Sequence, residues 1–133
     1  MRQPTAFTLI ELLVVLAVVA VLTMTATQAW SSHRDSAQRT VARAALVAAM
    51  ASLERQHAHK GKYDVSGKLP EHAPGYQIQA NPCSDRTLAH CVEVAAQPMR
   101  PGTSCGTLVL RSTGERFTQI GAARQPASPA CWP

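Results

Sequence analysis

From Leu12 to Ser32 the sequence carries no charged residue. These 21 residues are dominated by Leu, Val and Ala, with no Pro or Gly to interrupt them. As a helix rising about 1.5 Å per residue they would extend about 31 Å, which matches a bilayer hydrocarbon core about 30 Å thick. The whole chain has 133 residues, so beside this segment there is room for one small domain. The expected organisation is a single apolar helix followed by a compact head. Arg2 before the run and Arg34 after it can both reach lipid headgroups, and Arg2 favours a cytoplasmic N-terminus.

An ordinary secretory signal is the rival reading, and would make the product a secreted or periplasmic protein, enzymes included. Its apolar core is usually shorter and free of acids, and it ends in a small-x-small cleavage site, for which Thr27-Gln28-Ala29 is the best candidate. Neither that reading nor a plain anchor accounts for Glu11. A carboxylate at the head of an apolar helix costs about 3 kcal/mol or more in a bilayer unless it has a partner, so Glu11 is a candidate functional residue.

Phe7-Thr8-Leu9-Ile10-Glu11 follows a short basic leader and leads into the long apolar run. This order and spacing resembles type IV prepilins. The family pattern usually has Gly before the cut, where this chain has Ala6. The resemblance implies a leader of residues 1–6, removed by prepilin peptidase between Ala6 and Phe7, and methylation of the new Phe7 amine. It implies a transmembrane and filament-core helix over residues 7–32 and a periplasmic or extracellular head over residues 33–133. Cutting creates a cation four residues before Glu11. Each charge alone is costly in an apolar bundle, whereas the pair is tolerable. Glu11 is therefore expected to fix assembly, within a subunit or between neighbours.

Beyond Ser31 the chain continues as a predicted helix to about His59, rich in Ala and without Gly or Pro. Ala42, Leu46, Ala49, Met50 and Leu53 recur at helical spacing and make one apolar stripe, with Arg39, Arg43, Glu54 and Arg55 largely off it. The stripe is expected to pack against a sheet, and Gly61 to stop the helix. Gly61 to Pro74 reads as an irregular connection. Strand patterns follow at Tyr76–Ala80, Cys91–Ala95, Thr107–Arg111 and Arg116–Ile120, the last two joined by the turn Ser112-Thr113-Gly114-Glu115. The fold class is α+β: a long N-terminal helix on an antiparallel sheet of three or four strands, with a disulfide-stapled C-terminal loop. The tail from Gly121 to Pro133 shows little pattern of its own.

Cys83, Cys91, Cys105 and Cys131 all fall in the second half. No CxxC or HxxxH spacing of a zinc site occurs. An even count in a short exported chain points to two disulfides in an oxidising compartment. Sequence permits three pairings. A Cys105–Cys131 bridge would tie the tail to the sheet, and Cys83–Cys91 would close a short loop.

Leu53-Glu54-Arg55 leading to Lys62-Tyr63, and Cys105-Gly106-Thr107-Leu108 with Gly114 and Cys131-Trp132, are similar to minor pilins of the PilE and ComP kind. In that group the terminal cysteines bound a disulfide loop. No catalytic constellation, metal site or cofactor is expected. His57 and His59 are two apart and point to different helix faces, and Cys83 and Cys91 beside His90 read as disulfide partners before zinc ligands.

The chain carries a formal charge of +5. From Pro98 onward Arg100, Arg111, Arg116 and Arg124 stand against Glu115 alone. Basic residues attract phosphates without sequence preference, and ComP-like pilins are DNA-uptake receptors, so these arginines are candidate DNA contacts. A solvated basic surface is the plain alternative.

The resemblance thus implies a non-enzymatic minor pilin with roles in pilus biogenesis, twitching motility, adhesion or DNA uptake. Its partners would be other pilins, prepilin peptidase, the inner membrane, the pilus assembly machinery and, in the receptor reading, DNA. It would sit in the inner membrane before assembly and on the cell surface afterwards. A DNA-binding pilus receptor and a type II secretion pseudopilin are the alternatives.

Overall fold

The computed structural model describes residues 7–67, 69 and 72–133. Helix α1 covers Leu9–Lys60, and strands β1 (Tyr76–Pro82), β2 (Val92–Pro98), β3 (Thr107–Arg111), β4 (Arg116–Ile120) and β5 (Ala123–Pro126) follow. The chain forms two compact units, one ending at Asp35 and the other running from Ser36 to Pro133. Helix α1 contributes to both.

The helix starts two residues later than the sequence suggested, and its ends show why. The Thr8 carbonyl accepts the amides of Glu11 at 3.1 Å and Leu12 at 3.3 Å, so Thr8 sits outside the helix and closes its first turn. Glu11 lies in that turn, where the exposed amides favour an anion. At the other end His57, His59 and Lys60 occupy the last turn. Gly61 then takes a left-handed φ of 70° and donates its amide to the His57 carbonyl at 2.8 Å. This is the usual use of glycine as a helix stop.

In the head unit the expected stripe is the buried face of the helix. Ala42, Leu46 and Ala49 are 0% exposed and Leu53 is 1% exposed. They share one core with Val92, Val94 and Ala96 of β2, Leu108 and Leu110 of β3, and Tyr76 of β1. The sheet is a meander in the order β1-β2-β3-β4-β5, every pair antiparallel. Strand alternation therefore sends Val92, Val94 and Ala96 inward and Glu93, Ala95 and Gln97 to the opposite face. The β3–β4 hairpin matches its expected bounds, with Arg111 and Glu115 bonded across the turn at 2.9 Å.

A fifth strand, β5, corrects the expectation of three or four. All four of its residues are exposed, so no hydrophobic pattern marks it in the sequence. Its register against β4 runs from Phe117↔Pro126 to Ile120↔Ala123. Backbone pairing and one long side chain, described below, hold it in place.

Cys83 is bonded to Cys91 and Cys105 to Cys131. The second bridge reaches over 26 positions and anchors the C-terminal segment to the start of β3. Arg39 of α1 adds to the anchor by donating to the Ala130 carbonyl at 3.3 Å, and Arg43 donates to the Cys131 carbonyl at 3.0 Å. Trp132, 9% exposed, donates its indole N–H to the Phe117 carbonyl at 3.3 Å. Gly106, with φ of 55°, follows Cys105; a Cβ there would collide with the Gln119 carbonyl. The Cys83–Cys91 loop docks on the helix end. The Tyr63 amide donates to the Leu88 carbonyl at 2.9 Å, and its ring stacks on His57 at 4.3 Å. The His57 Nε2–H donates to the Ala89 carbonyl at 2.9 Å.

Two stability measurements follow from this arrangement. Replacing both Cys105 and Cys131 by Ser should lower head stability by about 3–4 kcal/mol, the chain-entropy value for a loop of this size, read by urea unfolding; no loss would mean the helix contacts alone secure the tail. The Tyr63 hydroxyl donates to Glu54 Oε1 at 2.8 Å, and burial, reinforced by that carboxylate, raises its pKa. The folded state then holds the phenol proton more tightly than the unfolded state. That contribution is complete below the ordinary tyrosine value of about 10 and disappears as pH rises past the raised folded value. Melting temperature should fall as pH rises above about 10, and fall less in Tyr63→Phe.

Candidate functional site

Two regions carry the residues singled out in the sequence. The first is the start of α1. The expected cut between Ala6 and Phe7 has only Phe7 among the described residues, and the expected leader, residues 1–6, lies outside them. Phe7 is 82% exposed and Ile10 is 68% exposed; Glu11 is exposed beside them. Further along, Leu16 is 57%, Leu22 61% and Trp30 73% exposed. The most apolar 18-residue window of α1 has a mean hydropathy of 2.6 and none of it is buried in the chain's own fold. Such a continuous apolar surface is far beyond what a soluble monomer exposes. Thr23 and Thr25 turn their hydroxyls back on the helix backbone. Thr23 donates its hydroxyl to the Val19 and Ala20 carbonyls at 3.0 and 2.9 Å, and Thr25 donates to the Leu22 carbonyl at 3.0 Å. Lipid demands this internal satisfaction.

The second region is the face of the sheet opposite the core. Glu93 is 7% exposed. Its carboxylate is gripped at both oxygens by Arg124, Nη1 to Oε2 at 3.0 Å and Nη2 to Oε1 at 2.9 Å. Because Arg124 is on β5 and Glu93 on β2, this side chain crosses over β4 and β3. Arg111, paired in register with Glu93, adds a third bond, Nε to Oε2 at 3.3 Å. Arg111 also meets Asp85 at 3.4 Å and Glu115 at 3.5 Å. Both guanidinium groups lie over the Phe117 ring, at 5.3 Å and 5.5 Å from its centre. Val109, on this outer face, is only 1% exposed. The Glu93 carboxylate pushes the Arg124 pKa further above its ordinary value.

The four candidate DNA contacts are thus not one free cluster. Arg111 and Arg124 meet on Glu93, Arg116 lies over Trp132 at 5.5 Å, and Arg100 is exposed in the turn after β2. The sequence reading did not reach Glu93 as the organiser of this face. The available signal was its position, a lone acid among Val92, Val94, Ala95 and Ala96. Among the described residues no group of three or more His, Cys, Asp or Glu side chains could hold a metal ion, and His57 and Cys91 are engaged as described.

The motif and the fold both find counterparts. The family described as prokaryotic N-terminal methylation motif matches residues 1–27. A solved structure of a type IV pilin from Shewanella oneidensis is similar, with a TM-score of 0.52 and 28% sequence identity, covering 71% of this chain and 98% of that chain. No curated protein matches.

Removing the shared anion should be costly. Glu93→Ala leaves two guanidinium groups without their common partner, and the half-buried position of Arg124 lets one of them relax toward water. A loss of about 1–3 kcal/mol is expected by urea unfolding. Glu93→Ala combined with Arg124→Met should recover part of it; an unchanged single variant would show that the cluster adds nothing.

Proposed function

We propose that this chain, which belongs to the type IV pilin family, is a minor pilin, a structural subunit that is processed, held in the inner membrane and then assembled into the pilus. The supporting observation is the apolar helix surface around Leu9–Trp30, unburied by the rest of the chain. A membrane covers it before assembly, and the same segments of neighbouring subunits cover it in a filament. The family is one of structural subunits, and the reading assigns no catalysis.

The mechanism begins with the peptide bond between Ala6 and Phe7. Prepilin peptidase cuts it on the cytoplasmic side, the Phe7 amine is methylated, and the cation stands one helical turn before Glu11. Residues 7–32 form the membrane and filament-core segment, and residues 33–133 the exported head. Glu11 pairs with the Phe7 amine of its own or a neighbouring subunit. Two charges that would be expensive singly become a registration device. Thr8, which closes the first turn through its carbonyl, keeps Phe7 outside the helix and so keeps the amine movable relative to Glu11.

The minor assignment draws on the C-terminal likeness described above and on the Cys105–Cys131 bridge, which bounds a terminal disulfide loop. The paired head disulfides favour a pilus subunit over a type II secretion pseudopilin. A DNA-receptor role gains less from the arginines than their count suggested, since Arg111 and Arg124 already share a carboxylate.

Mass spectrometry of the mature chain should find a methylated Phe7 as first residue; a mature start near Trp30 would indicate an ordinary signal. Glu11→Val should remain membrane-bound yet drop at least about tenfold in sheared filaments, because an unpaired buried charge costs about 3–5 kcal/mol. Undiminished incorporation would overturn the pairing. Scarcity relative to a co-purified major subunit distinguishes a minor pilin from a major one.

A further inference from the structure

The outer face of the sheet contains a hollow that the pilin reading does not use. It measures about 200 Å³, below the roughly 300–1,000 Å³ of sites for drug-sized ligands, so it suits one ring-sized unit. Its accessible floor is Ala95 of β2; Val109, opposite it in register on β3, is 1% exposed and lies beneath the lining. Ala95 is the small residue that opens the space, since Gln79 faces it on one side and Glu93 and Gln97 flank it along β2. The rim carries the amides of Gln79, Asn81, Gln97 and Gln119, with Thr107 beside them.

Three properties of this lining select a ligand chemistry. First, among the described residues that line it the charged groups are Glu93 and Arg124, and they neutralise each other through two bonds of 2.9 and 3.0 Å. No cation is left over for a phosphate or sulfate, so the ligand is neutral. Second, every amide and the Thr107 hydroxyl can both donate and accept, which suits a ligand whose own groups do both. Among the described residues Gln79, Asn81 and Gln97 make no side-chain hydrogen bond. Gln119 is oriented by its bond to the Gly121 carbonyl at 3.2 Å and by Arg124 at 3.5 Å. Third, the floor at Ala95 is apolar and shallow, fit for the C–H face of a saturated ring. A peptide strand would instead need open backbone groups, which lie at the sheet edges and not in this central hollow.

The geometry points to a binding site for a single neutral sugar unit on the outer face of the head, with the rim amides bonded to its hydroxyls and Ala95 beneath its ring. The site stands on the head alone and does not depend on assembly into a filament.

The full chain in phosphocholine micelles, free of sugar-based detergent, provides the test. Methyl glycosides of glucose, galactose and N-acetylglucosamine are titrated singly and followed by saturation-transfer NMR. At least one should show saturable transfer with a Kd on the order of 1 mM, normal for so few ligand atoms. Ala95→Leu, which fills the hollow, should weaken it about tenfold or more through the lost ring contact. Should Ala95→Leu fail to fold, the double variant Gln79→Ala with Gln97→Ala decides, because both side chains are exposed and the core is untouched. Absence of transfer from all three glycosides overturns the proposal, as does transfer that the folded variants leave unchanged. Displacement of the sugar by triglycine or by a sulfated disaccharide also overturns it, since the site would then be a peptide or anion site.

Discussion

The head rests on the contact between one face of α1 and one face of the sheet. Ala42, Leu46, Ala49 and Leu53 are sealed against Val92, Val94, Ala96 and Leu108. The layer is thin and has few aromatic residues; among the described residues Tyr63, Tyr76 and Trp132 are in it. A core of this size yields modest stability. The remaining features reinforce its margins. Two disulfides tie the loops down, Arg39 and Arg43 hold the tail carbonyls, and Tyr63 clamps the first disulfide loop against the helix end.

Much of this was readable in advance, for identifiable reasons. The helix stripe shows because burial on one side of a helix imposes a period near 3.6. Gly61 marks the helix end because it can adopt the left-handed conformation found there. Thr107–Arg111 and Arg116–Ile120 were legible because each combines β-prone residues and a turn glycine lies between them. Strand β5 was not legible, because Ala123-Arg124-Gln125-Pro126 places no apolar side chain in the core and apolar burial is what leaves a pattern. Strand β2 extends to Pro98, past the Ala95 at which alternation fades, because its partner β1 continues to pair with it.

The charges teach a related lesson. Arg100, Arg111, Arg116 and Arg124 look alike in the sequence, yet the fold gives them different tasks. Arg111 and Glu93 are adjacent through strand register, and Arg124 reaches Glu93 from 31 positions away. Counting charge along a chain cannot reveal such pairing, since the opposing carboxylate is contributed by another strand. Glu11 is the contrary case. It stands out because an acid among apolar residues has no local explanation, and the fold of a single chain leaves it exposed.

The bridge from Cys105 to Cys131 encloses all of β3, β4 and β5 within one covalent ring. An outermost strand with unpaired backbone groups is normally free to peel away and complete the sheet of a neighbour. Here the bond from Cys131 to Cys105 returns the chain after β5 to its own molecule. Heads crowded side by side can therefore touch without trading pieces, and each keeps its own identity.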